Sequence, residues 1–138
     1  MKRIIYQTES GGVAVIIPTG PAELALKDVP EGVPYKIVDV TDIPGDRTFR
    51  GAWVSDGAAV AVDLGKAKDI GHDKRRAQRA EEFAPFDEII AKQIPGVSAA
   101  EAEANRQAIR DKYALIQDVI NSASDTDTIK LALEANKP

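Results

Sequence analysis

The 138-residue chain contains no cysteine, one histidine and one tryptophan, and aromatic side chains make up only 5% of it. Without cysteine, disulfides, thiolate metal ligands and thiol nucleophiles are excluded, a usage that fits the cytosol. No window approaches the ~20 apolar residues that span a bilayer. The opening Met1-Lys2-Arg3-Ile4-Ile5-Tyr6 turns polar at Gln7-Thr8-Glu9, so it lacks the apolar stretch of a secretory signal. So few aromatics predict an aliphatic, alanine-rich core. Such a core buries less area per residue and gains from assembly with other subunits. An excess of positive charge is also missing: residues 1–62 hold six Lys/Arg against eight Asp/Glu, and residues 63–138 twelve against fourteen. Neither half has the field that drives sequence-independent nucleic-acid binding.

What is present reads as an α+β chain: a small antiparallel β domain over residues 1–62 and a helical arm over 63–138. Arg3 to Thr8 and Val13 to Ile17 are β-branched runs separated by Glu9-Ser10-Gly11-Gly12, the pattern of a hairpin. Pro21 can open a short helical turn through Leu26. The stretch Val29-Pro30-Glu31-Gly32-Val33-Pro34 must be loop. Tyr35 to Val40 alternates like a strand, and Gly51–Ser55 and Ala58–Val62 flank the tight-turn pair Asp56-Gly57. Asp63 is placed to cap a helix through Leu64, Ala67 and Ile70. From Gly71 to Glu82 nearly every residue is charged, which predicts a section solvated or clasped by a partner. Apolar residues return at Phe83, Phe86, Ile89, Ile90 and Ile94, with Pro85 marking a kink or a fresh start.

After Pro95-Gly96-Val97, Ser98-Ala99-Ala100-Glu101 reads as a capping box opening a helix to about Asn121. Its apolar stripe is Ala102, Ile109, Tyr113, Ile116 and Ile120, widened by Leu115 and Val119. Ser124, with Asp127 three residues on, opens a last short helix carrying Ile129, Leu131 and Leu133. Together the helices make an αα-hairpin with a short C-terminal helix.

Several residues invite a chemical reading. His72, between Asp69 and Asp73, would have to serve any histidine-based mechanism, but no nucleophile motif accompanies it and no second histidine completes a zinc pair. It reads as an exposed helical histidine. Lys74, Arg75, Arg76 and Arg79 form a basic patch suited to an acidic protein face, to phosphate, or simply to i, i+4 pairing on a solvated helix. Glu31, Asp39, Asp42 and Asp46 lack the spacing of a calcium loop. Asp46 instead reads as holding a turn over Arg47-Thr48-Phe49-Arg50, with Arg47 or Arg50 paired to Asp39 or Asp42. Phe49 and Trp53 either pin that turn to the sheet or, if solvent-facing, anchor a partner. The residues suggest no catalytic group, no cofactor and no metal. The candidate partner contacts are Arg47, Phe49, Arg50, Trp53, Lys74, Arg75, Arg76 and Arg79.

The chain resembles small proteins widespread in tailed-bacteriophage and prophage genomes. The resemblance runs through Gly11-Gly12-Val13, Ile16-Ile17-Pro18 and Pro34-Tyr35-Lys36-Ile37-Val38-Asp39. It is strongest at Asp42-Ile43-Pro44, Asp46-Arg47-Thr48-Phe49-Arg50 and Ala52-Trp53, and extends to Lys66–Ile70 and Arg106–Asp111. Glu82 to Val97 departs from it. The resemblance implies a non-enzymatic product of a virion or tail-assembly module. Such a product is made in the host bacterial cytoplasm, retained in the virion at the tail or fibre-attachment region, and oligomeric in assembly with other phage structural proteins. It would have no membrane or nucleic-acid partner. A tail-fibre assembly chaperone is the alternative expectation, and a carboxylate-based hydrolase the more distant one.

Overall fold

The computed structural model describes residues 1–55, 59–93, 95–96 and 98–138. The expected turn at Asp56-Gly57 and the apolar position Ile94 lie outside the described residues. The architecture is α+β, with antiparallel strands followed by three helices. Two compact units divide between Ala67 and Lys68, a few residues beyond the division at 62/63 expected from the change of period.

In the first unit, β1 (Lys2–Gln7) is the middle strand of a three-stranded sheet, between β2 (Val13–Ile16) and β3 (Tyr35–Asp39). Ile5 lies opposite Val15 on one side and Lys36 on the other. The β1–β2 hairpin closes through Thr8, whose N–H donates to the Gly12 carbonyl at 2.8 Å while its hydroxyl accepts from the Gly12 N–H at 3.1 Å. Gly11 takes φ +87° there, which only glycine adopts without strain. The adjacent Ile4 and Ile5 are both buried, although successive strand residues point to opposite faces. Both faces are therefore covered. Ile5, Val13 and Val38 pack with Trp53 and Val60 from a second, two-stranded ribbon, β4 (Trp53–Ser55) and β5 (Val60–Val62). On β1 itself the 3-10 turn Ala22–Asp28 packs as well.

α1 (Leu64–Lys92) opens at Asp63, whose carboxylate accepts from the Lys66 N–H at 2.8 Å, as expected. It runs through Pro85 without a fresh start. Proline leaves the carbonyl four residues earlier without its helical donor, and Glu81, which owns that carbonyl, is exposed to water. α2 (Ala99–Ser122) is capped by Ser98, which accepts from the Glu101 N–H at 3.2 Å. Ala102, Ile109, Tyr113, Ile116 and Ile120 of α2 are all buried, every position of the expected stripe. α3 (Thr126–Ala135) is capped one residue later than expected: Asp125, not Ser124, accepts from the Thr128 N–H at 2.8 Å and its hydroxyl at 2.7 Å. Ile129 and Leu133 face inward from α3, while Leu131 does not.

The charged middle of α1 departs most from expectation. Gly71 is buried, and a Cβ there would stand 2.7 Å from Ile129 Cγ2 and 3.6 Å from Ile120 Cγ2. Here α1 passes close to both α2 and α3. One and two turns on, Arg75 and Gln78 follow on the same side: Arg75 is 5% exposed, and Gln78 donates to the Leu133 carbonyl at 3.3 Å. Glu82 then accepts from Lys112 of α2 at 2.5 Å. The section read as solvated or clasped by a partner has two sides: Asp73, Lys74, Arg76, Ala77, Ala80 and Glu81 are exposed, while Gly71, Arg75, Gln78 and Glu82 turn inward within the chain itself.

Candidate interaction surface

The expected partner contacts separate on burial. In the Asp39–Trp53 stretch, Asp46 Oδ1 accepts from the Thr48 N–H at 2.9 Å and from its hydroxyl at 2.6 Å, so Asp46 does hold the turn. The 3-10 turn it prepares is Arg50–Ala52, slightly later than expected. Phe49 is 5% exposed and Trp53 1%, so they pin the turn to the sheet and offer a partner nothing to touch. Arg50 lies over the Trp53 ring at 5.9 Å, and Arg47 is exposed. The expected pairing of these arginines with Asp39 or Asp42 is replaced by other contacts. Asp39 pairs with Lys2 at 3.3 Å, which lowers its carboxyl below the usual range. Asp42 accepts from the Asp39 N–H at 3.1 Å. Among the described residues, no group of three or more His, Asp or Glu is placed to hold a metal ion.

The basic patch also divides. Arg76 pairs with Asp73 at 2.5 Å, and Lys74 is exposed. Arg75 turns inward, where burial, with Arg79 and Arg76 close by, lowers its affinity for a proton. Its Nε donates to His72 Nδ1 at 3.3 Å, and His72 Nε2 lies 2.8 Å from Asn121 Oδ1. A guanidinium can only donate. Nδ1 must therefore accept, which leaves Nε2 to carry the ring hydrogen and donate to Asn121. His72 is thus a strut between α1 and α2, where the sequence suggested an exposed histidine. Lys68 adds a 2.9 Å bond to the Asn121 carbonyl. Near the far end of α1, Arg106 meets Asp87 at 2.8 Å and lies over the Phe83 ring at 5.7 Å.

The surface that the structure does present was written into the sequence only as a widening of the α2 stripe. Leu115 is 68% exposed, Leu131 66% and Val119 40%. They border a groove of about 420 Å³ between α2 and α3, floored by Ile116 and Ala132, with Lys112, Thr128 and Asn136 as its polar margin. Scattered exposed aliphatics are ordinary; three gathered along one groove form an apolar patch of the kind that interaction sites use. The signal that could have found it is numerical. Leu115 and Val119 lie off the arc set by Ile109, Tyr113, Ile116 and Ile120, so a stripe containing them all is too wide for one interior face. A smaller groove of about 300 Å³ in the first unit is bordered by Ile17 and Leu24, exposed by 57% and 70%, beside Lys27 and Asp28. No helix among the described residues is long and apolar enough to cross a membrane. No protein-family model, curated protein or solved structure matches the chain.

Proposed function

We propose that this chain is a non-enzymatic structural subunit of a tailed-bacteriophage particle, binding other virion proteins at the tail or its fibre-attachment region. The reading joins the resemblance carried by Asp42-Ile43-Pro44, Asp46–Arg50 and Ala52-Trp53 to one observation, the exposed aliphatic groove between α2 and α3. A folded unit that keeps two leucines two-thirds exposed beside a groove gains free energy when that groove is covered, at roughly 25 cal/mol per Å² of apolar surface removed from water. Arg47, Arg50, Lys74 and Arg79 give the remaining charged contacts for neighbouring subunits, since Phe49, Trp53 and Arg75 are buried.

The test is mass spectrometry of purified particles from a host producing the protein. The expected result is stoichiometric retention through particle purification. If the chain is absent from particles, the structural-subunit reading fails; if it is then found in a soluble complex with a fibre protein, the assembly-chaperone reading takes its place.

A further inference from the structure

We infer that His72 is a proton-operated latch on Arg75: the neutral ring holds the guanidinium inside the helical unit, and the protonated ring releases it. The hydrogen-bond roles leave the ring no freedom. Arg75 Nε donates to Nδ1 at 3.3 Å, and Nε2 stands 2.8 Å from Asn121 Oδ1, so the neutral ring accepts at one nitrogen and donates at the other. A proton from solvent can be added only at Nδ1, the atom that receives the Arg75 hydrogen. The charged ring then has two donors and no acceptor, and turning it over offers Arg75 no acceptor either. The bond to Asn121 survives protonation; the bond from Arg75 does not.

Arg75 has no second partner to fall back on. It is 5% exposed, its side chain bonds to His72 alone among the described residues, and no carboxylate pairs with it there. Arg79 and Arg76 stand close enough to repel it. A guanidinium keeps its charge, and a buried charge without a partner is costly. Once Nδ1 is taken, Arg75 therefore swings its head into water, where it joins Lys74 and Arg76 on the outer side of α1. Other charges surround the pair. On α1, within a turn of His72, are Lys68, Asp69, Asp73 and Arg76; α2 brings Asp118, one turn before Asn121, and α3 brings Asp125 at its start. Lys68 is bonded to the Asn121 carbonyl, Asp73 to Arg76 and Asp125 to Thr128. Their balance sets the pH at which the ring charges. The loss of the acceptor follows at whatever pH that is.

This inference goes beyond the assembly reading and does not rest on it. Because His72 is the single histidine, its ring signals in the NMR spectrum of the full chain report its own titration. The Arg75 Nε–H is followed in the same samples from about pH 8 downward through the range in which histidines titrate. As the ring charges, that hydrogen should lose protection from solvent exchange by about tenfold or more, measured against exposed Arg47 to remove the ordinary effect of pH on exchange. His72→Asn places an amide near the position of Nδ1 but takes up no proton, and its fold can be checked by circular dichroism. It should make the protection of Arg75 independent of pH. Protection that stays constant while the ring titrates, protection that falls just as far in His72→Asn, or a ring that stays neutral until the fold is lost would each overturn the proposal. None of these results bears on whether the chain is retained in particles, so the two readings fail separately.

Discussion

The two units bury their interiors by different means. In the first, the centre is made of large apolar side chains, with Trp53, Ile4 and Ile5 almost wholly enclosed and a strand covered on both faces. In the second, α1 contributes a glycine, an arginine, a glutamine and a glutamate to its inward side, and polar struts connect it to α2 and α3. The first unit is held by area removed from water; in the second, α2 and α3 bury an apolar stripe as well, and α1 joins them by close approach and hydrogen-bond geometry. The second also keeps its spare leucines outside. A unit of the first kind should be sensitive to lost volume, and a unit of the second kind to added volume.

Trp53→Ala is the largest perturbation this contrast predicts. Removing a buried tryptophan costs about 3–5 kcal/mol, so denaturant titration should show the first unit unfolding early while the helical signal at 222 nm largely survives. A single cooperative transition, with helices and strands lost together, would show that the two units do not respond separately.

Gly71→Ala tests the other side of the contrast. Alanine normally favours a helix over glycine by about 1 kcal/mol, yet here its methyl would meet the Ile129 methyl at 2.7 Å. Ile129 is β-branched and buried, so it cannot swing aside without cost. Overpacking of this kind costs about 1–3 kcal/mol, and the variant should be destabilised despite its better helix propensity. Gly45→Ala is the control: an added Cβ meets nothing within 4 Å, and the backbone there is not in the left-handed region. It should melt within a degree or two of the parent. A Gly71→Ala protein that melts higher than the parent would refute the close approach.

These two positions also mark how much of the fold could be read from the sequence. Strands and helices were legible because β-branched alternation and the 109/113/116/120 spacing report directly on which side faces the interior. The pinning of Phe49 and Trp53 was one of two open readings, and burial decides it. The inward side of α1 was illegible because Gly71, Arg75, Gln78 and Glu82 are the residue types of a solvated helix. Only the partners of Gly71, Gln78 and Glu82 on α2 and α3, some 30 to 58 residues away in sequence, and the burial of Arg75 reveal where they point. His72 was misread for the same reason: its local neighbours Asp69 and Asp73 suggested exposure, while its actual partner is Asn121. The exposed groove was half legible, its residues being named but assigned to the interior.

Tyr113 gives the next smaller effect. It is fully enclosed, and its buried hydroxyl makes no hydrogen bond of full geometry, although the Glu82 carboxylate lies near enough to act on it. Burial, with the Glu82 and Glu81 carboxylates adding, pushes that hydroxyl from 10.0 up to about 12. The folded chain therefore holds this proton more tightly than the unfolded chain does. The stability tied to it is complete below pH 10 and is lost as pH rises from there through about 12. Tyr113→Phe should flatten that alkaline decline and leave neutral-pH stability nearly unchanged, since the deleted hydroxyl is buried without a hydrogen bond of full geometry. An alkaline decline as steep in Tyr113→Phe as in the parent would assign it to another group.

The smallest effect separates two neighbouring residues at the start of α3. Asp125 accepts from both the N–H and the hydroxyl of Thr128, and those bonds hold its carboxyl below the usual range. A depressed carboxyl contributes stability above its unfolded value of 3.8 that is lost as pH falls through the folded value, so the cap should fail only in acid below about pH 4. Asp125→Ala should lower the melting temperature by a few degrees at neutral pH and abolish that part of the acid dependence. Ser124→Ala, one residue earlier and outside the cap, should do neither. Because α3 carries Leu131 at one wall of the exposed groove, fraying from Asp125 should also loosen that wall. Hydrogen exchange at α3 amides should then rise in Asp125→Ala while the amides of the first unit keep their protection. Equal loss of protection in both units would mean that α3 is part of one cooperative whole, and that the division between area-held and contact-held halves does not extend to their stability.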